Sequence, residues 1–302
     1  MKFFIFILSS IIFLNSCIKE IEIQPTTDNT PVVNAIFSPD SIIAIHLSLP
    51  TEMNAINKRV INDAVIELYE NDSLLFSLIC ANNDGWYRNY YKPKITKKYT
   101  LKFTYNGYKV NSSTTIPKIT ELTRAEIKLT NRVTDENHPI SRIDVHFFDT
   151  SLNNNYYELN FFYKNTLIRY HSFNNRRITN AILLNENIWD YVPSSYFFSD
   201  ELFNGDSANI NIDGGSGIDL DGNIIPNINY KVQLESISKE YYLYKKSWAR
   251  HYFNQQNNEH LEDPLTLIFQ GEPQNLYSNI INGYGVFGSF SSSIRIKVLP
   301  IQ

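Results

Sequence analysis

The sequence predicts a mainly β protein: an N-terminal β-sandwich followed by a second β-rich domain that carries one amphipathic helix at about residues 237–253. Three observations predict it. From Val32 onward, short apolar runs alternate with turn residues; one hairpin can be placed in register from its turn; and a single segment has a helical rather than a strand period. With 302 residues, 43% of them hydrophobic and 14% aromatic, the chain can build the core of more than one domain.

The chain opens with "MKFFIFILSSIIFLNSCIKE". A membrane-spanning helix needs about 20 mainly apolar residues, and the run from Phe3 to Leu14 is too short for one. Lys2, the apolar centre and the small Ser16 before Cys17 have the layout of a secretory signal peptide. Its last four residues resemble a bacterial lipobox, in which the cysteine thiol is acylated and the chain is cut just before it. Residues 1–16 are therefore read as a lipoprotein-type signal peptide and Cys17 as the lipidated first residue. Each buried methylene contributes about 0.8 kcal/mol, so several acyl chains on one cysteine hold a protein at a bilayer stably. The segment 17–31, "CIKEIEIQPTTDNTP", mixes charge, Pro and Thr and reads as a tether.

The formal charge is −4, and losing residues 1–16 removes only Lys2 and leaves −5. A mildly acidic chain without a long Lys/Arg block argues against a nucleic-acid partner. With Cys17 acylated, Cys80 has no intramolecular partner; in the apolar run "LLFSLIC" it reads as a small buried hydrophobe.

Residues 32–117 carry seven candidate strands: "VVNAIF", "IIAIHLSL", "AVIELYE", "LLFSLIC", "WYRNYY", "YTLKFTY" and "YKVNSSTTI". That density suggests a small antiparallel sandwich. Asn106-Gly107 suits a type I′ hairpin turn, whose two central positions both need φ > 0. With these two residues as the loop, Tyr105 opposes Tyr108, Phe103 opposes Val110 and Leu101 opposes Ser112. Tyr99, Leu101, Phe103 and Tyr105 then share one face. Pro117 ends the strand, which places a domain boundary near Lys118.

In residues 118–302, "SRIDVHFF", "YYELNFFY", "LIRYHSF", "ANINI", "NYKVQLESI" and "SIRIKVL" read as strands. Ile237, Tyr241, Tyr244, Trp248 and Tyr252 recur at spacings of 4, 3, 4 and 4, one face of a helix, with Lys239, Lys246 and Arg250 opposite. An aromatic stripe of this kind could stack a ligand, but such a stripe is usually a buried face packed on a sheet.

Six stretches, in order from Cys17 to Ser293, resemble the Bacteroidota lipoproteins with domain of unknown function 4249 (DUF4249): "SCIKEIEI", "VVNAIFSPDS", "INDAVIELYEND", "YTLKFTYNGYKVNSSTTIP", "VQLESISKEYYLYKKSW" and "EPQNLYSNIINGYGVFGSFSSS". The last is the most specific, since strand patterning does not call for Gly-Tyr-Gly-Val-Phe-Gly; the match is poorest over about 120–225. The resemblance implies an outer-membrane lipoprotein found beside TonB-dependent transporters, with an N-terminal half like immunoglobulin-like or carboxypeptidase-regulatory-like sandwiches. It brings no catalytic residues. The charges at Lys19, Glu20 and Glu22 look like an acidic surface-export signal, which implies the cell surface, with the periplasmic face as the alternative.

Chemistry is sparse. His46, His138, His146, His171, His251 and His260 show no zinc-motif spacing, although His146 and His171 lie in strand-like runs that could meet. No nucleophile elbow or phosphate loop occurs, and "GGSG" at 214–217 reads as a flexible turn. "NINIDGGSGIDLDGN" offers Asp213, Asp219, Asp221 and Asn223 as hard oxygen ligands for calcium, the one cofactor the sequence suggests. Counted from Asn209, however, the twelfth position is Leu220 where an EF-hand needs a bidentate Glu, and Asp and Gly also simply make turns. In the terminal motif, Tyr284, Phe287 and Phe290 among Gly283, Gly285 and Gly288 are candidates for partner contact; the competing reading is a bent strand whose glycines permit bulges. Three functions remain: an accessory or cargo-binding partner of a TonB-dependent transporter, a structural subunit of another envelope assembly, or a polymer hydrolase using dispersed carboxylates such as Asp144 and Glu158. The missing nucleophile or metal motif places the hydrolase last and favours a protein that is not an enzyme.

Overall fold

The computed structural model describes residues 28–51, 58–133, 137, 139–150, 153–163, 166–168, 178–189, 195–214, 230–256 and 274–300. The predicted signal peptide, Cys17 and the predicted tether up to residue 27 lie outside them. The protein is mainly β. Strands β1 (Val32–Phe37), β2 (Ile43–Ser48), β3 (Ile66–Glu70), β4 (Ser73–Leu78), β5 (Trp86–Asn89), β6 (Lys98–Tyr105) and β7 (Tyr108–Thr115) follow the seven predicted runs one for one. In the β6–β7 hairpin, Tyr105 opposes Tyr108, Phe103 opposes Val110 and Leu101 opposes Ser112. Asn106 and Gly107 both have positive φ, 45° and 84°, as a primed turn demands.

The second half contains β8 (Leu122–Val133), β9 (Pro139–Phe148), β10 (Tyr156–Tyr163), β11 (Thr166–Ile168), the short helix α1 (Ala181–Leu184), β12 (Tyr196–Ser199) and β13 (Ser207–Gly214). Then follow β14 (Tyr230–Ile237), the long helix α2 (Lys239–Gln256), β15 (Tyr284–Ser292), β16 (Ile296–Lys297) and β17 (Leu299–Pro300).

One long sheet in the order β11-β10-β14-β15-β1-β2-β5, with β12 and β16 attached, runs through both halves. Two four-stranded sheets, β4-β3-β6-β7 and β13-β9-β8-β17, complete the set. Strand alternation decides what each face of the long sheet meets. Tyr157, Leu159 and Phe161 of β10 pack with Val232 and Leu234 of β14 against Ile127, Val145 and Ile210 of the second small sheet. On β15, Phe287 points to the same side and joins Val33, Phe37 and Ile45 in the core beneath Leu68, Leu101 and Val110. Both small sheets therefore cover one face of the long sheet, side by side, as two sandwiches with a shared layer. The opposite face, with Tyr156 and Ile237 directly paired across β10 and β14, meets α2 through Tyr241 and Tyr242.

Lys118 lies in the connection between β7 and β8, and residues 32–117 do not close their own core. β15 pairs in parallel with all six residues of β1, from Val32 opposite Tyr284 to Phe37 opposite Ser289. Ile280 and Phe287 are buried in the N-terminal core. Gly285, at φ +101°, makes the pairing possible, since a Cβ there would lie 2.0 Å from the Val33 carbonyl oxygen.

The helix lies where its period predicts, but rotated. Tyr242 and Ala249 are buried, whereas Trp248 is 43% and Tyr252 49% exposed. Tyr244, Trp248 and Tyr252 instead form an outward stack, with ring centroids 6.3 and 6.1 Å apart. The reason is electrostatic: Lys245 and Lys246 turn inward to Glu158 and Glu186, which draws the aromatic stripe off the sheet.

Candidate functional site

Of the four calcium candidates, Asp219, Asp221 and Asn223 lie outside the described residues. Asp213, near the end of edge strand β13, is 4% exposed. Its carboxylate accepts hydrogen bonds from Arg132, from Arg142 Nε at 3.0 Å and from Thr179 Oγ1 at 3.2 Å. Burial alone would raise its pKa, yet the two guanidiniums hold it below the usual carboxylate range. A carboxylate so neutralised is a structural anchor, and it does not fit a cation-binding role. Among the described residues no three His, Cys, Asp or Glu side chains gather to hold a metal.

The partner-contact candidates separate as well. Phe287 is fully buried, stacked edge-on against Phe37 at 4.9 Å, and so belongs to the core and not to a contact surface. Phe290 packs on Tyr241 of α2 at 6.4 Å. Tyr284 alone of the three is exposed, at 51%. His138, His171 and His260 lie outside the described residues; His146 stands 3.4 Å from Arg124 on neighbouring β8. Cys80 is half-buried at the edge of the N-terminal core, its thiol 3.4 Å from Asn62 Oδ1.

Sequence reasoning missed a cluster of ionisable groups between α2 and the long sheet. Glu158 and Glu235 stand directly opposite each other on β10 and β14. Lys245 pairs with Glu158, its ammonium also 5.2 Å from the Tyr241 ring centre and 5.7 Å from that of Phe197. Burial would lower the Lys245 pKa, but Glu158 and Tyr241 raise it, so the ammonium stays charged. Burial and then the Glu158 charge push Glu235 up to about 7. One turn position on, Lys246 Nζ lies 2.9 Å from Glu186, which also accepts from the Tyr242 hydroxyl and from Ser199 N at 2.7 Å. A raised glutamic acid beside a carboxylate is the arrangement of acid/base catalysts. Here it sits half-buried under α2, among Lys245, Tyr241 and Ser292. The only signal in the sequence was the pair of adjacent lysines on a helix otherwise rich in aromatics.

Where the two sandwiches and the first turn of α2 converge, the surface folds into an open cleft of about 620 Å³. Thr114 and Thr115 of β7, Asn153–Asn155 before β10 and Ser236–Glu240 form its walls. A second hollow of about 390 Å³ adjoins it through Ser113 and Glu240, and is lined by Lys98, Lys102, Asn111 and Tyr277. Hydroxyls join the walls: Thr114 Oγ1 lies 3.0 Å from Ser289 Oγ, and Ser112 Oγ donates to Asn279 O at 2.9 Å. Ser238 caps α2, accepting from Tyr241 N at 3.3 Å and from Ser289 N at 3.2 Å, which ties the helix start to β15. The cleft is rich in hydroxyls and amides and wide open, a surface for reversible contact with polar groups.

The model of the domain of unknown function DUF4249 matches residues 18–295. The chain belongs to the DUF4249 family. The family domain thus covers both sandwiches, α2 and β15 together, in keeping with a shared sheet. No curated protein matches this DUF4249 chain significantly. A crystal structure of a "putative membrane anchored protein" from Corynebacterium diphtheriae is similar at 10% identity and a TM-score of 0.22, over 70% of this chain. The DUF4249 chain spans 55% of the length of that protein. Among its described residues, no helix is long and apolar enough to cross a membrane.

Proposed function

We propose that this DUF4249 protein is a lipid-anchored lipoprotein of the outer membrane, facing the cell surface, that serves as a binding or accessory partner of a TonB-dependent transporter. The observation that carries the anchor is where the family domain begins: at residue 18, directly behind Cys17. The acylated cysteine is then the last residue before the conserved unit, with residues 1–16 as the removed address. The transporter role rests on the family resemblance, and the open polar cleft suits a protein that contacts a partner or cargo and performs no chemistry on it.

The test is a mild-detergent pull-down of the lipidated protein with the partner identified by mass, alongside Cys17→Ala. A large β-barrel should copurify with the native protein, and the variant should lose fatty-acid labelling and leave the membrane fraction. A variant that still labels and still fractionates with the outer membrane refutes the anchor. A pull-down that brings only non-transporter envelope proteins refutes the transporter role in favour of a structural subunit.

A further inference from the structure

Carboxylates and ammoniums meet between α2 and the long sheet. Three carboxylates reach it, Glu158 from β10, Glu235 from β14 and Glu186 from the segment after α1, and two ammoniums, Lys245 and Lys246, answer them from the helix. Glu158 and Glu186 each have a lysine. Glu235 forms no ion pair among the described residues; its carboxylate accepts hydrogen bonds from Ser292 Oγ of β15, at 3.4 Å, and from the Asn160 side chain of β10. It faces Glu158 at a directly opposed position, where like charges on neighbouring strands repel. The other groups turned toward it are Lys245 and Tyr241 of α2 and Asn160 of β10, while β12 contributes the neutral Phe197 ring over Lys245.

We propose that docking of α2 onto the sheet takes up one proton, held by Glu235 beside Glu158, so that the helix is held tightest in acidic surroundings and loosens as the pH rises toward neutrality. With the proton in place, two carboxylates meet two ammoniums at Lys245 and Lys246, and Glu235 is a neutral donor or acceptor beside Glu158. Without it, a second, half-buried carboxylate faces Glu158, with Lys245 the ammonium nearest both. The sign follows from linkage. Glu235 sits near 7 in the docked state against about 4.3 when solvated, so the stabilisation is fully present at low pH and is lost as pH rises to 7. The consequence reaches the cleft, because the first turn of α2, Ser238–Glu240, forms one of its walls. A helix that loosens changes the cleft's shape, which makes whatever the cleft holds sensitive to pH. The inference does not depend on the transporter reading.

Amide hydrogen exchange on the full mature chain in mild detergent, corrected for intrinsic rates, tests it at pH 6 and pH 8.5. Protection of α2 amides should fall about tenfold over that interval, since each pH unit below the docked-state value is worth a factor of about ten. The β3–β4 hairpin, at the edge of the N-terminal small sheet opposite β7, serves as the internal control and should hold its protection. Glu235→Gln, which mimics the protonated acid at constant size, should show the same α2 protection at both pH values. A native protein whose α2 protection changes less than twofold overturns the proposal. So does a Gln variant that keeps the tenfold fall, or a hairpin that loses protection in step with the helix.

Discussion

Replacing Lys245 by methionine removes the ammonium that fastens α2 to the sheet while keeping the length and apolar stem of the side chain. The side chains of Lys245 and Glu158 are 15% and 5% exposed, so the pair belongs with buried ion pairs and not with screened surface ones. Breaking such a pair from one side leaves a buried charge without compensation and costs about 3–5 kcal/mol. At about 2–4 °C per kcal/mol for a domain of this size class, the melting temperature at pH 7 should fall by roughly 6–20 °C. The double variant Lys245→Met with Glu158→Gln removes both charges and should recover most of the loss, because an apolar or neutral pair of similar volume stands in for a buried ion pair at little cost. Urea denaturation of the native protein, both single variants and the double variant gives the coupling directly. A coupling below about 1 kcal/mol, too small for a close buried pair, would refute the reasoning and make Lys245 a packing residue.

Two further outcomes follow from positions already described. Gly285→Ala should be far more damaging than Gly107→Ala in a thermal melt: both residues have positive φ, worth about 1–2 kcal/mol against alanine, but a Cβ at 285 also strikes the Val33 backbone whereas at 107 it meets nothing within 4 Å. Equal shifts would mean that the β1–β15 contact yields easily. Adding EGTA should leave the melting temperature unchanged, because Asp213 is already satisfied by Arg132 and Arg142; a drop of several degrees on chelation would return calcium to the 213–223 loop.

Much of the architecture is legible without the fold, and the rest is not, for reasons that differ by element. β1 to β7 announce themselves because each is a short apolar run bounded by turns, and the hairpin register follows from two residues whose backbone must turn left-handed. β8 is the longest of the described strands and hides in "LTRAEIKLTNRV", where charged and apolar residues do not alternate cleanly and irregularities between Leu122 and Arg124 and between Leu129 and Val133 break the register. β15 looks like a contact motif because its glycines and aromatics make no sense until β1 is beside it.

What the sequence by itself determined is local: where chains turn and where periods of two give way to a period near 3.6. These depend on neighbours within a few residues, which the sequence states outright. Only the tertiary structure decided that β15 closes the N-terminal core from some 250 residues away, and that α2 turns Lys245 and Lys246 inward and Trp248 and Tyr252 outward. Both depend on partners distant in the chain. Burying Lys245 is unfavourable unless Glu158, 87 residues earlier, is waiting in the sheet, and no periodicity in the helix carries that information.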